Sequence, residues 1–380
     1  MSTSPLFEML LRGALDRAFG AGDDPAFAAA PGRCTLVGEH VDYAGGLVLC
    51  VAIDLEVMVA VRVASGSLDR VAVGDRRFAR EGPLRAAGAG YVFAAADALR
   101  HRGLEIPPVE VATTASLPAA AGLASSAAVI GATLVALLRL QGASLTAAEL
   151  IDAAYAAEHD ILGVPSGRLD EHAIVESPEG GAILLDCAAG TVSDVPWALD
   201  DVVLCVCDTG ERHSVAGVGY RDRRAEAEAA LHAAGLGNAQ HVGAAAAIPE
   251  LADPTLSRRL RHVVSETRRA AAAAEALRCG DAAALGTLMT ESQRSLRDDM
   301  EVSTPRLDAV VEASVAVPGC LGARLVGAGF GGSVIALVRS SAAGACVDAM
   351  QVAAGEGSSA FVVHPSAGLA FTAGDAVTRV

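Results

Sequence analysis

The sequence contains no lysine: all 29 of its basic residues are arginine. That excludes a phosphate loop of the G-x-x-x-x-G-K-[ST] type, which places a lysine on the β- and γ-phosphates. Positive charge is in deficit throughout. The formal net charge is −16 and no basic stripe offsets it, so nucleic acid is not an expected partner. Long apolar runs are missing too; no window reaches the ~18 residues that a spanning helix needs. Residues 1–19 carry Glu8, Arg12, Asp16 and Arg17, which interrupt any signal-peptide core and predict an amphipathic helix. A cytoplasmic location without a membrane partner is the expectation. Aromatics make up only 3% of the chain, and alanine supplies much of the apolar half, which predicts closely packed helices. The eight cysteines are dispersed without a C-x-x-C pair, and Cys205 and Cys207 fall on one face of a strand. They are expected to be buried free thiols in preference to metal ligands or a disulfide.

At 380 residues the chain has room for one large or two medium domains. Alternation predicts strands at Gly46–Ile53 and Val57–Val63, arranged as a hairpin-like meander, then a helix over Ala89–Arg102. A strand at Val109–Thr114 leads through a loop of small residues into a helix at Ala124–Leu140. Leu145–His159 is helical with Thr146 as its cap, and Gly181–Asp186 and Val202–Cys207 are buried strands. Beyond the Ala/Gly/Ser/Pro stretch Ala188–Pro196 the composition shifts. Tyr220–Ala234 and Thr255–Arg278 are rich in Arg, Glu and Ala and helical in pattern, and Ala323–Leu325 and Ser333–Val338 flank a glycine cluster. The division expected is an amino-terminal domain of 1–190 and a carboxyl-terminal domain of 191–380.

Four segments bear chemistry. In Pro118–Ala128 a run of residues without bulk follows a strand and ends in Ser125 and Ser126 at a helix start. Small residues let backbone N–H groups approach phosphate oxygens, and the helix end adds a positive dipole. An ordinary turn with a serine cap fits the same pattern. Pro31–Gly46 packs Arg33, Glu39, His40, Asp42 and Tyr43 between apolar strand residues. That density of donors and acceptors suits adjacent sugar hydroxyls; a solvated loop with a salt bridge is the alternative. In Gly163–His172, Asp170 follows a Pro/Gly turn, where a carboxylate can take a proton from an attacking hydroxyl or simply cap a helix. Gly327–Ser333 is either a wrap around a phosphate chain or a tight turn between two regular elements.

Together and in this order, these segments resemble the GHMP small-molecule kinases, galactokinases in particular. PGRCTLVGEHVDYAGGLVL is similar to the galactokinase sugar signature, PAAAGLASSAA to the phosphate loop and LVGAGFGGSVIALV to the third motif. AEHDILGVPSGRLDE, DTGERHSVAGVGYRDRR, RHVVSETRRAAAAAEAL, LMTESQRSLRDDMEVSTPRLD and HPSAG extend the likeness over nearly the whole chain. The resemblance implies an α+β fold of two domains, an S5-domain-2-like amino half and a ferredoxin-like carboxyl half. It implies Arg33 and Asp170 as the catalytic pair, and Glu39, His40, Asp42, Gly167 and Tyr220 as sugar contacts. Ala121, Gly122, Leu123, Ala124, Ser125, Ser126 and Ala127 match the nucleotide loop, and Gly327, Gly329, Gly331 and Gly332 the third-motif loop. Ser126 and Glu158 match Mg²⁺ ligands, an oxygen-only set suited to that hard cation.

The departures fall near the sugar. Val41 and Ala44 replace a polar pair, and Ser166-Gly167-Arg168-Leu169-Asp170-Glu171 replaces C-G-I-M-D-Q. Arg168 is expected either to meet an anionic group of the substrate or to pair with Glu171 or another acid. Ala120 and Ala124 stand for a glycine and a serine, Gly88 for an adenine-stacking tryptophan, and Gln293 for a histidine. The activity implied is ATP-dependent phosphorylation of the anomeric hydroxyl of galactose or a close derivative, by a monomer or dimer. The alternatives are an anomeric kinase for an anionic or already phosphorylated sugar, and a sugar sensor without turnover.

Overall fold

The computed structural model describes residues 5–85, 87–212, 218–242 and 246–369. The chain opens with helix α1 (Pro5–Phe19), which buries Leu11 and Leu15 on one face as its amphipathic pattern predicts. Next comes β1 (Ala26–Val37), which carries Arg33, and then β2 (Leu47–Val63). The predicted meander at 46–63 is in fact this single 17-residue strand. Asp54-Leu55-Glu56 offers no Gly, Pro or Asn to reverse the chain, so β2 runs on. It pairs with β1 across a register shift at Pro31/Gly32.

Short strands β3 (Arg70–Val73) and β4 (Arg76–Ala79) follow, then α2 (Ala89–His101), β5 (Val109–Ala115) and α3 (Ser125–Gln141). Thr146 caps α4 (Ala147–Tyr155) in a reciprocal box with Glu149. That helix widens into a π-helical turn, Ala156–Ile161, before α5 (Leu169–Glu176), β6 (Gly181–Asp186) and β7 (Thr191–Pro196). The strands so far form one sheet in the order β4-β3-β5-β2-β6-β7, with β1 paired to β2.

A second sheet, all antiparallel, has the order β11-β8-β10-β9. Its strands are β8 (Val202–Asp208), β9 (Cys320–Val326), β10 (Ser333–Arg339) and β11 (Ser359–Val363). Between β8 and β9 lie α6 (Val218–Ala233), α7 (Pro254–Arg278), α8 (Ala282–Asp298) and α9 (Pro305–Val315); α10 (Ala343–Ala354) follows β10. Asp253, Asp281 and Thr304 cap α7, α8 and α9, each accepting from a backbone N–H of the first turn. None of the helices described is long and apolar enough to cross a membrane.

One continuous core joins the two sheets. Val51, Ile53, Ile130, Leu134 and Leu277 pack with Leu204, Val206, Ile335 and Leu337. Alternation along β8 sends Leu204 and Val206 into that core, while Cys205 and Cys207 enter a second cluster beneath α10. Both cysteines are buried free thiols. Buried alanines at 270, 273, 274 and 276 let α7 lie close on its neighbours.

A very close contact joins α8 and β9, where Gly286 faces Gly322 backbone to backbone. A Cβ on Gly322 would overlap the carbonyl of Gly286, and one on Gly286 would overlap that of Leu321. Gly322→Ala should therefore lower unfolding free energy by about 3 kcal/mol, the upper end for overpacked cores. Urea unfolding measures this; a loss under about 0.5 kcal/mol would mean that α8 lifts off the sheet freely.

Candidate active site

A cleft of about 810 Å³ is lined by the turn after β1, the β5–α3 loop, the start of α5 and the β9–β10 loop. Its sugar-signature wall is built by backbone necessity. At Gly38, with φ +118°, a Cβ would sit 2.7 Å from Val48 Cα. Two residues on, His40 takes φ +59°, a left-handed conformation that costs a non-glycine residue ~1–2 kcal/mol. This turn presents Glu39, His40 and Asp42 to the cleft.

Arg33, only 6% exposed, is the hub of the cleft. Its Nε donates to Asp170 Oδ1 at 2.9 Å, Nη2 lies 2.6 Å from the same oxygen, and Nη1 donates to the Gly122 carbonyl at 2.6 Å. Burial opposes the guanidinium charge, but Asp170 and Glu39 more than restore it, and its pKa lies above the ordinary value. Asp170 stands in the first turn of α5. Before it, Gly167 presses so close to Asp42 that a Cβ would overlap the carboxylate.

His40 is neutral, because burial pushes its pKa down to about 4. Its Nε2 lies 3.0 Å from the Ala328 carbonyl, which can only accept, so the proton is on Nε2. Nδ1 therefore accepts from Tyr43 Oη at 2.8 Å. Burial raises the pKa of Glu39, against the pull of Arg324, Arg33 and the Gly327 N–H, which donates to Oε1 at 2.7 Å. Tyr220 completes this end, its ring 5.7 Å from that of His40.

The other end is a bed of backbone groups. The cap residue of α3, Ala124, is left-handed and has no side-chain hydrogen bond to the first turn. The first-turn N–H groups of a 17-residue helix thus face the cleft without a side-chain cap. The β9–β10 loop closes over them with Gly327, Gly329, Phe330, Gly331 and Gly332 all at positive φ. A Cβ on Gly122 would lie 2.7 Å from Val326 O, and Ser333 Oγ donates to Ala121 O at 2.7 Å. The loop is both the tight connection and the cleft wall, so the two readings of the glycine cluster merge.

Ser126 bonds the carboxylate of Glu158, which the π-helical turn tucks into the cleft wall at 5% exposure. Burial, then Asp170, pushes the Glu158 pKa up to about 7. A hydroxyl and a carboxylate that gains from a positive charge make a donor set that fits a small hard cation. Among the described residues, no three His, Cys, Asp or Glu side chains converge as a metal cluster.

Arg168 is the expected sugar contact that the structure places elsewhere. As the cap residue of α5 it turns outward, pairs with Asp152 and lies 4.6 Å over the Tyr155 ring. It does not line the cleft, and its partner is not Glu171. Glu171 is 1% exposed and, beyond its own backbone N–H, neither carboxylate oxygen has a hydrogen-bond partner. Gln293 has a structural part: it accepts from Leu325 N and donates to Ser303 and Asp308. Arg212, overlooked in the sequence, lines the cleft and grips Asp208 with both terminal nitrogens at 2.6 and 2.7 Å. A guanidinium next to a glycine turn in DTGERHS was the available signal. Residues 213–217 of that segment lie outside the described residues.

The galactokinase galactose-binding signature matches residues 15–63, the GHMP kinase amino-terminal domain 90–177 and the GHMP kinase carboxyl-terminal domain 272–357. The chain is 37% identical to the galactokinase of Chloroflexus aurantiacus over 85% of its own length and 86% of the relative's. It is 37% identical to that of Homo sapiens over 87% and 88%. Among solved structures, Lactococcus lactis galactokinase complexed with galactose superposes with a TM-score of 0.88 at 28% identity, covering 96% of this chain and 99% of that one. Methanococcus jannaschii mevalonate kinase shares the fold, with a TM-score of 0.70 at 18% identity over 91% and 99%.

The buried acid Glu171 carries a pH signature. Burial, then Glu158 and Asp170, raise its pKa well above the ordinary 4.5, with Arg168 pulling back. Folding therefore favours the protonated form. The stability this contributes is complete below pH 4.5 and is lost as pH climbs towards the folded-state pKa. Glu171→Gln escapes that loss, so its melting temperature should match the parent's near about pH 4 and exceed it increasingly towards about pH 8. A difference that stays constant with pH would refute the ionisation argument.

Proposed function

The chain belongs to the galactokinases of the GHMP kinase family, and from that membership we propose that it transfers the γ-phosphoryl group of ATP to the anomeric hydroxyl of D-galactose, releasing galactose 1-phosphate and ADP. The observation that carries the reading is the Arg33–Asp170 pair, set where the sugar-signature turn meets the uncapped start of α3. On this reading Asp170 orients the anomeric hydroxyl and receives its proton as the O–P bond forms. Arg33, bonded to Asp170 and to the phosphate loop, stabilises the charge that builds between them. Glu39, Asp42, Gly167 and Tyr220 hold the sugar. His40, with both nitrogens committed to protein partners, shapes the wall.

The first N–H groups of α3 and the backbone of 327–332 take the phosphates. Phosphoryl transfer through a loose transition state asks for this kind of placement more than for a strong nucleophile. Mg²⁺ fits beside Ser126 and Glu158, and when bound it supplies charge to the phosphate oxygens.

A neutral sugar is favoured over an anionic one. The arginines lining the cleft, Arg33 and Arg212, are each already paired with a carboxylate, and Arg168 is turned away. Turnover is favoured over sensing by the presence of the whole pair and of Ser126. A panel of sugars assayed by ADP release tests this: galactose should give the highest kcat/KM, and a higher value for a uronic acid or sugar phosphate would overturn the assignment. Asp170→Ala should lower kcat by about 10³-fold and change galactose Kd by only a few-fold. Near-normal turnover in that variant would remove Asp170 from the chemistry.

A further inference from the structure

The sugar-signature turn has backbone bonds of its own after His40, from Ala44 and Gly46 N–H to Val41 O and from Gly45 N–H to Asp42 O. Before them, at the end of β1, Gly38 and His40 both take positive φ. The Gly38–Glu39 backbone is gripped by α7, more than 220 residues further along the chain. The Gly38 N–H donates to Glu266 Oε1 at 2.8 Å, and His262 Nε2 donates to the Glu39 carbonyl at 3.0 Å. Spaced four residues apart, His262 and Glu266 sit one above the other on a single face of the helix. One turn-length away, Gly46 has no room for a Cβ against Thr267 Oγ1 of the same helix.

The gripping carboxylate is itself fixed. Glu266 is fully buried, accepts from Ser292 Oγ at 2.6 Å on the same Oε1, and takes Arg269 Nε at 2.8 Å on Oε2. Burial works against its charge, but Arg269, His262, Arg324 and Ser292 hold its pKa down at about 2. The bond to Gly38 is therefore charge-assisted and stronger than a neutral one. Among the described residues, no other side chain is bonded to that N–H.

We propose that Glu266 and His262 are positioning residues for sugar recognition, holding the Gly38–His40 backbone so that Glu39 and Asp42 meet the substrate and His40 shapes the wall beside it. This rests on the assignment of the cleft as a galactose site. It assigns α7 a part in affinity although none of its residues lines the cleft.

Calorimetric titration of D-galactose and, separately, of ADP into the full-length parent, Glu266→Ala, Glu266→Gln and Ser292→Ala tests it. Glu266→Ala should weaken galactose binding by about tenfold or more and leave ADP within about twofold. Glu266→Gln, whose amide oxygen still accepts from Gly38, should recover most of the loss. Ser292→Ala should weaken galactose alone, and less. If Glu266→Ala does not fold, Ser292→Ala decides by the same selective pattern, its galactose affinity lowered and its ADP affinity kept. Unchanged galactose affinity, or equal weakening of both ligands, overturns the positioning role. A parent that binds ADP but no galactose overturns the sugar assignment beneath it, a result distinct from either.

Discussion

One buried guanidinium fixes how the parts of the cleft stand to each other. Arg33 leaves β1 and meets α5 at Asp170 and the phosphate loop at Gly122 O, so three elements far apart in sequence share one charge. Such a group is tolerated in the interior only if its donors are satisfied and an opposite charge is near. Those conditions dictate details that otherwise look arbitrary. The register shift at Pro31/Gly32 precedes Arg33 directly. Gly32 has no room for a Cβ against Leu117 and Leu123, which lets the loop come in over the strand. The Arg33 N–H then bonds Leu123 O at 3.1 Å, so backbone and side chain of one residue both secure the loop.

Absence of lysine shapes the phosphate end. A chain without lysine binds an anion through arginine, cation or backbone, and the arginines here are spoken for. What is left is geometry: small residues, positive-φ positions and a helix start lacking a side-chain cap. Ala120 and Ala124 adopt left-handed backbone where glycine would do so at less cost. They hold it because the neighbouring loop, bonded through Ser333 to Ala121, leaves the segment little choice.

How much of this was legible in the sequence depended on range. Segments specified by local pattern, such as α2, α4 with its Thr146–Glu149 box, β5, β8 and β10, lie where periodicity and caps put them. β1 was given no bounds in the sequence because Arg33, a charge among its apolar strand residues, finds its partners Asp170 and Gly122 only in the folded molecule. β2 was split in two because its central acids look like a turn, and only pairing with β1 and β5 shows that they are not. Within the site, Arg33 of β1, Gly122 and Ala124, Ser125 and Ser126 of the phosphate loop, and the glycines of the third-motif loop line one cleft, whereas Ala121, Leu123 and Ala127, also expected at the nucleotide, are packed into the core. Arg168 does not, because a charge beside a catalytic motif carries no direction until Tyr155 and Asp152 are seen to offer it a surface outside. Conversely, Glu266 and His262 fall in RHVVSETRRAAAAAEAL, a segment of the family likeness, but nothing local gave them a role: an i, i+4 pair in an Arg/Glu-rich helix looks like solvated surface, and burial alone distinguishes it.

The charge inventory of the cleft adds a constraint on the proposed chemistry. Glu39, Asp42, Glu158 and Asp170 line it, against Arg33 and Arg212. A triphosphate entering such a space brings more negative charge to a wall already rich in it. Backbone N–H groups and a helix end contribute only partial charges, so full compensation calls for protons or a cation. Glu158 is where both converge: its raised pKa reports a carboxylate that gains from neutralisation, and Ser126 beside it offers a second oxygen ligand. A donor nucleotide arriving as its magnesium complex would relieve Glu158, leave Asp170 paired with Arg33 and keep the sugar end neutral in balance. On the proposed function, the acidity of the cleft would therefore suit the metal-bound nucleotide better than the free one.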